Sequence, residues 1–143
     1  MTEHEVVFPA DGMMLRDVRA KVRKIAADLG AAANVCDNVA LVVDEVVNNA
    51  IEHGASYRQH VHHLTVRLER DHENLVVQFF DPEMPDDEVG DLAQALGAAS
   101  NGMPSLDSER GRGLFLLSVY LEGLRAELAP GGGLRLLGHL ARQ

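Results

Sequence analysis

Glu45, Asn49 and His53 recur at intervals of four residues within the run Val42-Val43-Asp44-Glu45-Val46-Val47-Asn48-Asn49-Ala50-Ile51-Glu52-His53-Gly54. On a helix, such residues stack along one face, each step displaced by only about 40°. A carboxylate one turn before an amide can do two kinds of work. Glu45 can take a proton from an attacking hydroxyl. Asn49 can offer a neutral carbonyl oxygen to Mg²⁺, which prefers hard oxygen donors and keeps several waters. The same spacing also describes the wet face of an ordinary helix. Two features point towards binding. The segment is rich in valine, a poor helix former, so packing rather than propensity must hold it. A helix packed that deeply has little reason to display Asn48 and Asn49 side by side unless something binds there.

The elements that must position these side chains follow from periodicity. Val39, Val42, Val43, Val46, Ala50 and Ile51 fall at helical spacing and predict an apolar stripe on a central helix over about 35–53. Asn34 is its expected N-cap and Gly54 its terminating glycine. Before it, Glu5 to Phe8 reads as a short strand. Leu15 to Leu29 reads as a helix with an apolar side (Val18, Val22, Ile25, Ala26, Leu29) and a basic side (Arg16, Arg19, Lys21, Arg23, Lys24) expected to be solvated. After it comes a loop, with Tyr57 at the surface or over the core. The segment 61–69 alternates in period two, and 75–80 is a second strand ending at Asp81; the turn at 71–74 makes the two an antiparallel hairpin.

Residues 82–110 change character. Pro82, Pro85, Pro104, Gly90, Gly97 and Gly102 punctuate an acidic, loop-rich connection in which 91–99 is expected to form a short helix. Connections this long are usually functional or mobile. Gly111-Arg112-Gly113-Leu114 then opens a helix reaching about Gly123. At a helix start the backbone N–H groups are unpaired and the dipole is positive, so the glycines form a suitable anion site, although a flexible helix entrance explains them equally. A terminal hairpin turns at Pro130-Gly131-Gly132-Gly133. His60, His62 and His63 invite a zinc reading, but no carboxylate or cysteine sits at ligand spacing beside them, and an exposed strand start is expected instead.

Composition sets the outer bounds. A chain of 143 residues with 46% hydrophobic content fits one globular domain, 1–143. With 13 basic against 22 acidic residues the net charge is −9, which disfavours nonspecific nucleic-acid binding. No apolar run approaches the roughly 20 residues that span a bilayer, and no signal-peptide pattern opens the chain. The lone Cys36, flanked by Val35 and Val39, is expected to be buried, and its solitude is consistent with a cytoplasmic location.

Taken in order, the Glu-x-x-x-Asn helix, the strand ending in Asp, the long loop, the Gly-x-Gly-Leu helix start and the final hairpin resemble the GHKL (Bergerat-fold) ATPases. Among these the chain is most similar to the anti-sigma factor serine kinases. The run Glu45 to Gly54 looks like that subfamily's N box. The resemblance implies an α/β, two-layer sandwich: a mostly antiparallel sheet with helices on one face and ATP between helices and lid. It implies Glu45 as general base, Asn49 as Mg²⁺ ligand, and His53 beside the nucleotide. Asp81 would accept a hydrogen bond from the adenine amino group. Gly111, Gly113, Leu114 and neighbouring backbone would hold phosphates, Arg110 or Arg112 would neutralise the γ-phosphate, and 82–110 would be the lid.

The resemblance further implies a Mg²⁺-ATP-dependent serine kinase that phosphorylates a STAS-type anti-sigma factor antagonist. It would also bind a sigma factor or other regulator, and form a homodimer through the N-terminal strand and first helix. One departure motivates a second reading. The family usually continues after the aspartate as Asp-x-Gly, whereas this chain has Asp81-Pro82-Glu83-Met84-Pro85. Two prolines stiffen that loop and Glu83 adds charge near a polyphosphate. The second reading is a non-catalytic binding module of the same fold. A third is the detached ATPase domain of a histidine kinase system.

Overall fold

The period-two alternation builds a sheet with one apolar face. The computed structural model describes residues 4–100 and 109–143. Its strands are β1 (Glu5–Phe8), β2 (Leu64–Asp71), β3 (Asn74–Asp81), β4 (Glu122–Leu128) and β5 (Leu134–Ala141). They lie in the order β1-β2-β3-β5-β4, with every neighbouring pair antiparallel. Val66 opposes Phe79, which opposes Leu136, and Leu68 opposes Val77. These side chains point into the core, as do Phe8, Leu64 and Leu75. On the other face Arg67 stacks over Phe80 and pairs with Glu5 at 2.9 Å.

Four helices cover the apolar face: α1 (Leu15–Asp28), α2 (Ala33–Gly54), α3 (Asp86–Ser100) and α4 (Glu109–Tyr120). The valines of α2 behave as their spacing predicts. Val39, Val42, Val43, Val46 and Val47 are buried, and each contributes about 1.5–3 kcal/mol relative to an exposed side chain. That packing holds a helix whose intrinsic propensity is poor. Cys36 is buried among them.

Several boundaries differ from expectation. The N-cap of α2 is Ala32, not Asn34, and it has no side-chain cap bond. Gly54 is the last helical residue rather than a left-handed terminator. The basic side of α1 is not simply solvated: Arg19 reaches Asp44 of α2 at 2.7 Å and Arg23 reaches Asp37 at 3.3 Å. Strand β2 begins at Leu64, so the three nearby histidines precede it in an exposed loop. No cluster of metal-binding side chains forms among the described residues.

The largest difference lies in 82–110. Helix α3 starts five residues before the expected short helix. Asp86, Asp87 and Glu88 occupy its first turn, where negative charge is favoured by the dipole. Val89, Leu92 and Leu96 supply a buried apolar side. Its glycines Gly90 and Gly97 face open space and do not break it. Residues 101–108 of the lid-like segment lie outside the described residues. No described helix is long and apolar enough to cross a membrane.

Candidate functional site

The face of α2 that carries the expected site residues borders a cleft. Its walls include Val46, Ala50, Phe79, Met84, Leu92, Leu117, Leu134 and Leu136, with Asn49, His53 and Tyr57 as the polar residues. The cleft is partly open to solvent, and its cavity volume is about 30 Å³, below the usual range for small-molecule pockets. Asn49 is half-buried at the wall and His53 is exposed at the mouth. The elements follow from their periods: α2 supplies residues three and four apart, β5 supplies Leu134 and Leu136 two apart, β3 supplies Phe79, and α3 and α4 add Leu92 and Leu117.

Glu45 lies one turn before Asn49, half-buried, against α4. A Cβ placed on Gly113 would sit 2.5 Å from Glu45 Oε1. Glycine at 113 therefore lets α4 approach the carboxylate more closely than any other residue would. Leu117, four residues on, is fully buried on the same side of α4. The helix begins two residues earlier than expected, at Glu109. Gly111 stays in the first turn, with its N–H among the four lacking an intrahelical partner, while Gly113 falls in the second turn. The side chains of Arg110, Arg112 and Leu114 lie outside the described residues.

Behind the cleft wall, beside Tyr57, a second cluster is built around Asp81. Along β3, Leu75, Val77, Phe79 and Asp81 share the core-facing side, so the carboxylate is fully buried. A buried charge needs a partner, and Arg58 provides it. Nη1 donates to Oδ1 at 2.6 Å and Nη2 to Oδ2 at 2.8 Å. Tyr57 Oη donates to Oδ2 at 2.9 Å, and the Glu83 backbone N–H donates to Oδ1 at 3.2 Å. Nη2 also donates to the Ala50 carbonyl at the end of α2, at 3.1 Å. Tyr57 covers the guanidinium, whose centre is 5.1 Å from the ring centroid. The side chains of Arg58 and Asp81 are 3% and 0% exposed.

Two glycines make this corner possible. A Cβ on Gly54 would meet the Arg58 guanidinium and the Tyr57 hydroxyl, so a bare α2 terminus is what admits both side chains. Gly133, at φ +83°, brings the β4–β5 turn onto the Asp81 carbonyl and Pro82, where a Cβ would sit 2.6 Å from each. The glycine run is therefore more than turn chemistry.

Charge follows the same network. Burial, then the charge of Asp81 and the hydrogen bond to it, push the Tyr57 phenol well above its usual range. The hydrogen bond to Asp81 raises Arg58 against an opposing desolvation effect. Desolvation would raise Glu83, but backbone N–H groups of Val61, Gln59 and His60, with Arg58, outweigh it and hold the carboxyl below its usual value. Glu83 accepts from Val61 at 3.1 Å and from His60 at 3.3 Å, with His60 in the left-handed region at φ +59°. Its charge is thus turned towards Arg58 and the 60–61 backbone.

Of the expected site residues, Asn49 and His53 line the cleft, Glu45 packs against Gly113 one turn before Asn49, and Asp81 is buried behind the wall. It missed Tyr57 and Arg58 as members of the site. The available signal was the period of β3, which makes Asp81 a core position in need of a cation.

Comparison with known proteins adds the family. Residues 8–134 match the model of the histidine kinase-like ATPase domain. The chain belongs to this family. Among solved structures, a chain in the crystal structure of the SiaB–SiaC complex from Pseudomonas aeruginosa superposes with a TM-score of 0.74 at 18% identity. The match covers 95% of this chain and 88% of that one, and at this identity it shows a shared fold. No curated protein sequence matches.

Proposed function

We propose that this protein is a Mg²⁺-ATP-dependent kinase that phosphorylates a serine on a STAS-type anti-sigma factor antagonist. In this reading it also binds a sigma factor or other regulator in a partner switch. The observation that carries the reading is Asn49 on the cleft wall with Glu45 one turn before it, its carboxylate against Gly113 of α4. The family match supports ATP as the nucleotide, and the neighbour's occurrence in a two-protein complex supports a protein partner.

In the proposed step the serine hydroxyl attacks the γ-phosphorus. Its proton passes to Glu45, the new P–O bond forms, the bond to the bridging β,γ-oxygen breaks, and ADP leaves. Mg²⁺ is held mainly by phosphate and water oxygens with one or two protein oxygens, and the amide of Asn49 on the cleft wall can supply one. Asn49 would be that protein ligand, and the ion would neutralise developing phosphate charge. Gly111 and Gly113 would let phosphate oxygens approach α4, Arg110 or Arg112 would face the γ-phosphate, and 82–110 would act as the lid. A second copy would dock through β1, an edge strand of the sheet, and α1.

The test is transfer of labelled γ-phosphate to a cognate antagonist. Wild type should give acid-stable phosphoserine, and Glu45→Ala should lower the rate by about 10²–10⁴-fold. Unchanged transfer by Glu45→Ala would remove the assigned role. The Asp81 network favours a second reading, a partner-switching module of the same fold without catalysis. Saturable binding of Mg²⁺-ATP in calorimetry would count against it.

A further inference from the structure

Asp81 is the carboxylate that, by resemblance, would read the adenine amino group. A carboxylate offers about four acceptor positions. In this structure four donors already point at Asp81: two from Arg58, one from Tyr57 and one from the Glu83 backbone. Among the described residues the cleft walls include Tyr57 and Met84 but neither Asp81 nor Arg58. The guanidinium is further anchored by the Ala50 carbonyl and by an ion pair with Glu83 at 3.6 Å. Gly54 leaves the space in which it sits.

We propose that Arg58, with Tyr57, is a specificity-determining residue that withdraws Asp81 from base recognition, so that the cleft accepts purine nucleoside triphosphates without selecting for the 6-amino group. This rests on the nucleotide reading of the cleft given above. An amino group arriving at Asp81 would have to displace a donor from a buried ion pair, and nothing in the apolar wall of Phe79, Met84, Leu134 and Leu136 would re-pair that donor. The base is then held by shape and apolar contact, which adenine shares with its deaminated or unsubstituted analogues.

The experiment is calorimetric binding of ATP and of purine riboside 5′-triphosphate, which lacks the 6-amino group, to wild type, Tyr57→Phe and Arg58→Met. Wild type should bind the two within about threefold of each other, less than a full hydrogen bond to the amino group would give. Tyr57→Phe opens one acceptor position without leaving a charge unpaired and should favour ATP by about tenfold or more, as a hydrogen bond to a charged group gives. Arg58→Met, if folded, should favour ATP by more than Tyr57→Phe does. A wild-type preference for ATP of tenfold or more would overturn the proposal while leaving the nucleotide reading intact. ATP binding seen only in the variants would overturn the proposal, because the wild-type cleft would then accept neither triphosphate, while leaving the nucleotide reading intact. Absence of binding in all three proteins would overturn the nucleotide reading and this proposal with it.

Discussion

Two carboxylates lie beside the cleft without lining it, and they are built into the fold in different ways. Glu45 is half-buried on α2 and meets a glycine of the neighbouring helix. Asp81 is fully buried and tied to Arg58, Tyr57 and the Glu83 backbone. Glu45 sits at a contact between two helices, whereas Asp81 is held inside the fold by four donors. Burial alone does not make an acid a binding residue. The number of acceptor positions already taken decides what it can still bind.

The sharpest way to break this contrast is to remove the cation beside Asp81. Arg58→Ala leaves Asp81 charged, buried and short of two donors, and should lower stability by about 3–5 kcal/mol. Arg19→Ala removes an ion pair of similar length whose partners are 35% and 26% exposed, and should cost at most about 1 kcal/mol. Urea denaturation of both variants checks the ranking. Equal losses would mean that the Asp81 corner is no more than an ordinary surface pair.

At Glu45 the expected effect falls on activity instead. Gly113→Ala adds a methyl that the flexible tip of Glu45 must avoid. Stability should change by no more than about 1 kcal/mol, since alanine favours a helix interior. Phosphate transfer should fall by about tenfold to a hundredfold through misplacement of the carboxylate. Parallel denaturation and transfer assays would separate the two, and a variant that keeps full transfer would show that Glu45 need not stay where it is.

A smaller effect sharpens the Asp81 side. The Tyr57 phenol is raised above its usual value. Above a pH of about 10 the unfolded chain releases this proton while the folded chain keeps it, so stability should decline as pH rises from there. In a Tyr120→Phe background, phenolate absorbance should appear only together with unfolding. Titration of Tyr57 at an ordinary tyrosine pH in the folded protein would contradict its bond to Asp81.

These two carboxylates were not equally legible in the sequence. The valine spacing of α2 announces a buried stripe, and Glu45 and Asn49 follow from it at once, because a helix fixes which residues share a face. The hairpin of β2 and β3 is equally plain from its alternation. Helix α3 was partly hidden because prolines and glycines look like loop punctuation, yet Val89, Leu92 and Leu96 keep a helical period. Arg58 was hidden for another reason. It lies in a turn with no period, and only the folding of that turn over the end of α2 brings it to a residue 23 positions away. The missing Asp-x-Gly pattern was visible; what fills its place was not.

In the proposed function, Asn49 and the neighbouring α4 start receive the Mg²⁺-bound phosphates of the nucleotide. Calorimetry with ATP, with and without Mg²⁺, on wild type and Asn49→Ala tests it most directly. Mg²⁺ should tighten binding to wild type by at least about tenfold and leave the variant little changed, as loss of a metal-site residue demands. Equal Mg²⁺ dependence in the two proteins would contradict it.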